Sequence, residues 1–202
     1  MLLDHLYYFL HIEELNYLYP LGRLTMPLFA FAFAYGLATQ KDTQPKLPIL
    51  KRLLVFGLIS SIPYVGLRVV MSGWWPLNIM FTLLLSTLII SILTSSIKSR
   101  LLISITLFII GGAFVEYCWA GVALTLSFWW FVRRPNSLSI LLIFVSMILL
   151  NNFNNSYWST LALPVIYIAS KINFPLPRIK HLFYYLYPIQ FGLIWFARNM
   201  YN

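Results

Sequence analysis

The chain has 202 residues, of which 60% are hydrophobic and only 9% charged, with a mean hydropathy of +0.80. Soluble domains carry about 25% charged residues, so this composition excludes an ordinary soluble globular domain. The formal net charge of +9 does not point to nucleic acid, because basic residues gathered in short loops on one side of a membrane give the same excess.

Hydrophobic stretches set against the roughly 20 residues that a helix needs to cross a bilayer predict an all-α, polytopic transmembrane bundle of about nine spans, between eight and ten. They use up nearly the whole length, so residues 1–202 are expected to form a single domain. The first predicted span, 1–12, is short and carries Asp4, His5 and His11, and Glu13, Glu14 and Asn16 mark the loop behind it. No cleavable signal peptide is expected, since Asp4 and His5 stand where a positive n-region would be. The second span, 20–39, reads PLGRLTMPLFAFAFAYGLAT, with Arg23 near its start.

The third span covers 48–69, with Pro63 expected to kink or break it. GWWP at 73–76 reads as an interfacial anchor, and the fourth span follows over 77–97. The fifth covers 101–115, Glu116 sits at a turn, and the sixth continues to residue 132. The seventh covers 137–150, the uncharged NNFNNS reads as a loop, and the eighth covers 157–170. A Pro-broken basic stretch, KINFPLPRIK, leads into the ninth, 181–197.

The basic residues test this count. With a cytoplasmic N-terminus, the inner loops hold Lys41, Lys46, Lys51, Arg52, Lys98, Arg100, Arg133, Arg134, Lys171, Arg178 and Lys180, eleven of the 14 lysines and arginines. That alternation favours nine spans with the N-terminus inside and the C-terminus outside. The single cysteine, Cys118, cannot form an internal disulfide. HExxH, CxxC, P-loop and GxSxG patterns are all missing, so no metal site is expected.

The remaining polar residues need a reason. A guanidinium near the middle of a bilayer costs from about 2.5 kcal/mol upward and normally faces the bundle interior or a wet cavity with a partner. For Arg23 a candidate partner is Asp4; the competing reading is a side chain that snorkels to the surface. A desolvated histidine stays neutral near pH 7 and can take a proton, which makes His5 either a general base or a histidine at the inner surface. Asn78 and Thr82 either line a cavity or bond one helix to another. Glu116 and Tyr117 form part of a polar cluster at an outer turn, and Lys180, His181 and Tyr184 open the last span.

Six motifs occur in order along the chain: DH (4–5), GR and PLFAFAFAYGLATQ (22–40), KRLLVFGLISSIPY (51–64), NIMFTLLL (78–85), EYCWAGV (116–122) and KHLFYYLYP (180–188). In these the chain resembles the TraX family, which includes the F-pilin acetylase of conjugative plasmids, and more distantly the integral-membrane acyltransferases. The resemblance implies a multi-pass protein of the bacterial inner membrane that transfers acetyl from acetyl-CoA to the N-terminal amine of a pilin, with the bilayer and the pilin as partners and no nucleic acid. It implies His5 as catalytic base with Asp4 and Arg23 beside it. Lys51, Arg52, Arg133, Arg134, Lys180 and His181 would meet the coenzyme, and Asn78, Thr82, Glu116, Tyr117 and Tyr184 would line the substrate pocket. The sequence departs from the family pattern at Gln190, where a histidine commonly follows the YP pair, at Ser61, where an acidic residue often precedes IP, and in its short first span. Transfer to a sugar hydroxyl, or a non-catalytic role in pilus assembly or transport, stands as the alternative.

Overall fold

The computed structural model describes residues 18–40, 47–67, 73–172 and 182–201. The described chain is helical: α1 (Leu18–Ala38), α2 (Leu47–Gly66), α3 (Ile79–Leu93), α4 (Arg100–Gly112), α5 (Cys118–Arg133), α6 (Ser137–Asn154), a 3-10 turn (Trp158–Leu161), α7 (Ala162–Lys171) and α8 (Leu182–Tyr201). The only β pairing among the described residues is a single bridge between Leu77 and Val115. The predicted first span, 1–12, lies outside the described residues.

Among the described residues three helices are long and apolar enough to cross a membrane: Pro20–Ala38, Leu47–Gly66 and Ser137–Asn154. Their exposed faces are greasy. On α2, Leu54, Val55, Leu58, Ile59, Ile62 and Val65 all face outward, a contiguous apolar surface that water would not tolerate but lipid would. Helices α3, α4 and α7 are shorter than their hydrophobic stretches suggest. The fourth predicted span, 77–97, becomes a helix of 15 residues, because Asn78 caps its start and the chain leaves it at Thr94.

Two other expectations change. Of the expected kink or break at Pro63, the break does not occur: α2 continues through it to Gly66, as proline is tolerated where packed neighbours satisfy the backbone. The NNFNNS stretch is not simply a loop: α6 runs on to Asn154 and stops at Asn155, whose φ of 48° is left-handed, a conformation asparagine accepts better than most residues. The earlier asparagines stay helical because their side chains find partners, Asn151 donating to Thr160 Oγ1 at 2.7 Å and Asn154 to Ser159 Oγ at 3.3 Å.

Contacts fix the direction of each helix. Phe56 meets Tyr184, Tyr64 meets Phe191, and Arg198 donates to the Leu67 carbonyl at 2.9 Å, so α2 and α8 run parallel. Phe31 packs edge-on against Phe128 at 5.4 Å and Met26 lies beside Gly121, so α1 and α5 are parallel too. The start of α1 reaches the end of α6 through Arg23 and Asn154, and the start of α3 reaches the second half of α2 through Asn78 and Gly57. Successive helices therefore alternate in direction. Lys51, Arg52, Lys98, Arg100, Arg133, Arg134 and Lys171 consequently fall at one end of the bundle, and Arg23, Glu116 and Arg198 toward the other.

Several hydroxyls inside the bundle are satisfied within their own helices. Ser60, Ser86, Thr87 and Thr125 each donate to the carbonyl four residues back. Close approach is reserved for glycine at α5: a Cβ on Gly121 would lie 2.9 Å from both Met26 Cε and Tyr117 Cβ and 3.3 Å from Thr82 Cγ2. Overpacking of this kind costs about 1–3 kcal/mol, so Gly121→Ala is expected to lower the thermal midpoint in detergent. Gly36→Ala, where nothing lies within 4 Å, is expected to leave it unchanged or raise it.

Candidate functional site

The polar residues at the less basic end are organised around the α4–α5 turn. There the Glu116 amide donates to the Leu77 carbonyl at 2.7 Å, and its carbonyl accepts from Thr82 Oγ1 at 2.8 Å. Leu77 returns a bond to Phe114, and Trp75 Nε1 donates to the Ala113 carbonyl, both at 2.8 Å. Tyr117 and Cys118 then take left-handed φ values of 61° and 46°. For residues with a Cβ this costs roughly 1–2 kcal/mol each, and such outliers persist where surrounding contacts over-determine them. The outcome is a glutamate whose main chain is held on both sides.

Glu116 is half-buried, with Oε2 shut away from solvent. It lies within electrostatic reach of the Tyr64 and Tyr187 hydroxyls. These two tyrosines are 2% and 1% exposed, and both rings pack on Phe191, at 5.6 and 5.0 Å. The Tyr187 hydroxyl faces the Ile79 backbone amide without closing a hydrogen bond of ordinary geometry. Tyr117 completes the surround, its ring 6.3 Å from that of Phe153.

Arg23 adjoins this group. It is half-buried on α1 and donates from Nη1 to Asn154 Oδ1 at 3.3 Å; the Asn154 amide in turn reaches Ser159. One turn further along α1, Met26 lies against Gly121 and so beside Tyr117 and Thr82. A guanidinium, a carboxylate and three phenols thus share one end of an otherwise apolar bundle.

A family model described as TraX protein matches residues 1–198. The chain belongs to the TraX family. No curated protein and no solved structure matches it.

In this TraX-family chain the residues singled out from sequence divide between the two ends. Arg23, Asn78, Thr82, Glu116 and Tyr117 come together at one end. Asn78 and Thr82 are engaged in bonds between elements, Asn78 donating to the Gly57 carbonyl at 2.9 Å and Ser61 Oγ at 3.1 Å. Lys51, Arg52, Arg133 and Arg134 lie at the opposite end, where Arg133 sits 5.5 Å over the Trp129 ring.

Tyr184 is not with Glu116 but faces a cleft of about 260 Å³ at that basic end, lined also by Ala32, Phe33, Gly36, Leu37, Gln40 and Ile49. Arg52 is close enough to act on the Tyr184 hydroxyl. Asp4, His5, Lys180 and His181 lie outside the described residues. Sequence reasoning did not single out Tyr64, Tyr187, Asn154 and Ser159. The signal for Tyr64 and Tyr187 was a tyrosine next to a proline within a span.

Proposed function

We propose that this chain is a bacterial inner-membrane acetyltransferase that moves acetyl from acetyl-CoA to a terminal amine, that of a pilin subunit. Family membership and the polarised bundle support the reading together. Its carrying observation is that Arg23 and Glu116 occupy one end of the bundle while seven cations occupy the other. The long apolar helices are taken as crossing, with the N-terminus cytoplasmic and the basic end inside.

On this reading the phosphates of coenzyme A meet Lys51, Arg52, Arg133 and Arg134, joined by Lys180 and His181, and the pantetheine arm enters through the cleft beside Tyr184. The acceptor amine comes from the other side. The ammonium releases one proton to water, and a neutral base, His5 with Asp4 in its polar set, takes a second from the nitrogen as that nitrogen attacks the thioester carbonyl. The C–N bond forms, Arg23 faces the developing oxyanion, the C–S bond breaks, and the thiolate leaves with the proton from His5.

The test is direct. Purified chain in detergent, given acetyl-CoA labelled in the acetyl group and a peptide with a free N-terminus, is expected to label the peptide at that amine. Arg52→Glu is expected to raise the KM for acetyl-CoA by about tenfold, the loss of one charge-assisted phosphate contact, with little change in the KM for peptide. Failure of the wild-type protein to label any amine overturns the reading.

A further inference from the structure

The asparagine that meets Arg23 is itself held from behind. Arg23 donates from Nη1 to Asn154 Oδ1 at 3.3 Å, and the Asn154 amide donates at 3.3 Å to Oγ of Ser159, a residue 0% exposed on the 3-10 turn that packs against α1. We infer that Asn154, backed by Ser159, is the positioning residue that aims the Arg23 guanidinium at the developing oxyanion; this deepens the proposed acetyl transfer and rests on it.

A long, rotamer-rich side chain is held in one pose only by a partner that is itself locked. The chain behind Asn154 meets that need. α6 ends at the left-handed Asn155, which turns the backbone so that the Ser156 amide donates back to the Asn151 carbonyl at 3.1 Å. The Asn151 side chain then donates to Thr160 Oγ1 at 2.7 Å. Two neighbouring residues of the turn, Ser159 and Thr160, are thus each clasped by an asparagine of α6, one turn apart, and Asn154 presents its oxygen to α1.

The kind of partner matters as much as its rigidity. A carboxylate would fix the guanidinium in a fork, but it would also cancel part of the positive field. An amide oxygen gives direction and subtracts no charge, so the arginine keeps its attraction for negative charge that develops on a substrate. Aspartate, which has the same shape, supplies the hold and weakens the field.

The experiment compares the wild-type protein, Asn154→Asp, Arg23→Met and the double variant, each purified at full length in detergent. With labelled acetyl-CoA and a peptide bearing a free N-terminus, Asn154→Asp is expected to lower kcat about tenfold to a hundredfold and to leave the KM for acetyl-CoA unchanged. In the Arg23→Met background the same substitution is expected to change the rate by less than about twofold. Thermal midpoints are expected to move the other way. With Arg23 present the new carboxylate gains an ion pair and the midpoint holds or rises; without it a half-buried charge loses that partner and the midpoint falls by about 2–4 °C. A slower enzyme of equal or greater stability is a combination that a merely structural asparagine does not give.

A kcat that survives Asn154→Asp, or falls equally with and without Arg23, overturns the assignment. A wild-type protein that labels no amine loses the acetyltransferase, and the midpoints then decide the rest. Shifts of opposite sign in the two backgrounds retain Asn154 as the residue that holds Arg23, and equal shifts remove it.

Discussion

Arg23→Met is expected to reduce acetyl transfer by about a thousandfold while leaving the KM for acetyl-CoA nearly unchanged. Loss of one preorganised donor to an oxyanion costs roughly 10²–10³ in rate, and a fixed guanidinium in a bundle of low dielectric belongs at the upper end of that range. Methionine keeps the length and apolar stem, so packing on α1 survives. Arg23→Lys tests geometry against charge: lysine keeps the positive charge but not the planar fork, and an intermediate loss of about tenfold to a hundredfold is expected. His5→Ala is expected to abolish transfer to a similar degree, with the protein still inserted, as general-base contributions run to about 10²–10⁴. If both residues serve one transition state, the double variant falls little below either single one. Wild-type rates in Arg23→Met would remove the arginine from the chemistry and leave it a structural partner of Asn154.

The helices were legible because lipid makes hydrophobic length itself the signal. Helix order, the gathering of cations at one end and the placement of Arg23, Glu116 and Tyr117 at the other follow from counting apolar runs and turns. What could not be read was how deep each side chain sits. Asn78 and Thr82 look alike in a list of polar residues near a span start, yet both are spent on ties between elements. Tyr184 and Tyr187 are one turn apart on α8, but the first opens on the cleft beside Leu37 and the second turns inward toward Glu116. That split depends on rotation about the helix axis, which apolar composition on every face conceals. Asn154 escaped because a polar run between apolar ones reads as a loop, whereas Asn151 is held by Thr160 in the following turn and Asn154 by Arg23, distant in sequence.

The largest loss of stability is expected at Asn78, which joins three parts of the molecule and is 0% exposed. Its Oδ1 accepts from the Met80 amide at 3.1 Å and so caps α3, while its Nδ2 donates to the Gly57 carbonyl and to Ser61 Oγ on α2. Asn78→Leu forfeits a cap worth about 1 kcal/mol and buries groups whose lost partners cost about 1–3 kcal/mol more. The sum, about 2–4 kcal/mol, corresponds to a fall of roughly 5–15 °C in the thermal midpoint for a chain of this size, read by tryptophan fluorescence in detergent. Asn78→Asp separates the two roles. It keeps the capping oxygen and suits the positive end of the helix, but it sets a carboxylate against the Gly57 carbonyl with no donor between them, so it is expected to fall about as far as leucine. Retention of stability by Asn78→Asp would mean that the cap, not the tie to α2, is what matters. Either way the damage reaches the site, because Leu77 and Thr82 on either side of this residue are the groups that hold the main chain of Glu116. The polar groups that fix where α3 starts therefore also fix where the main chain of Glu116 stands.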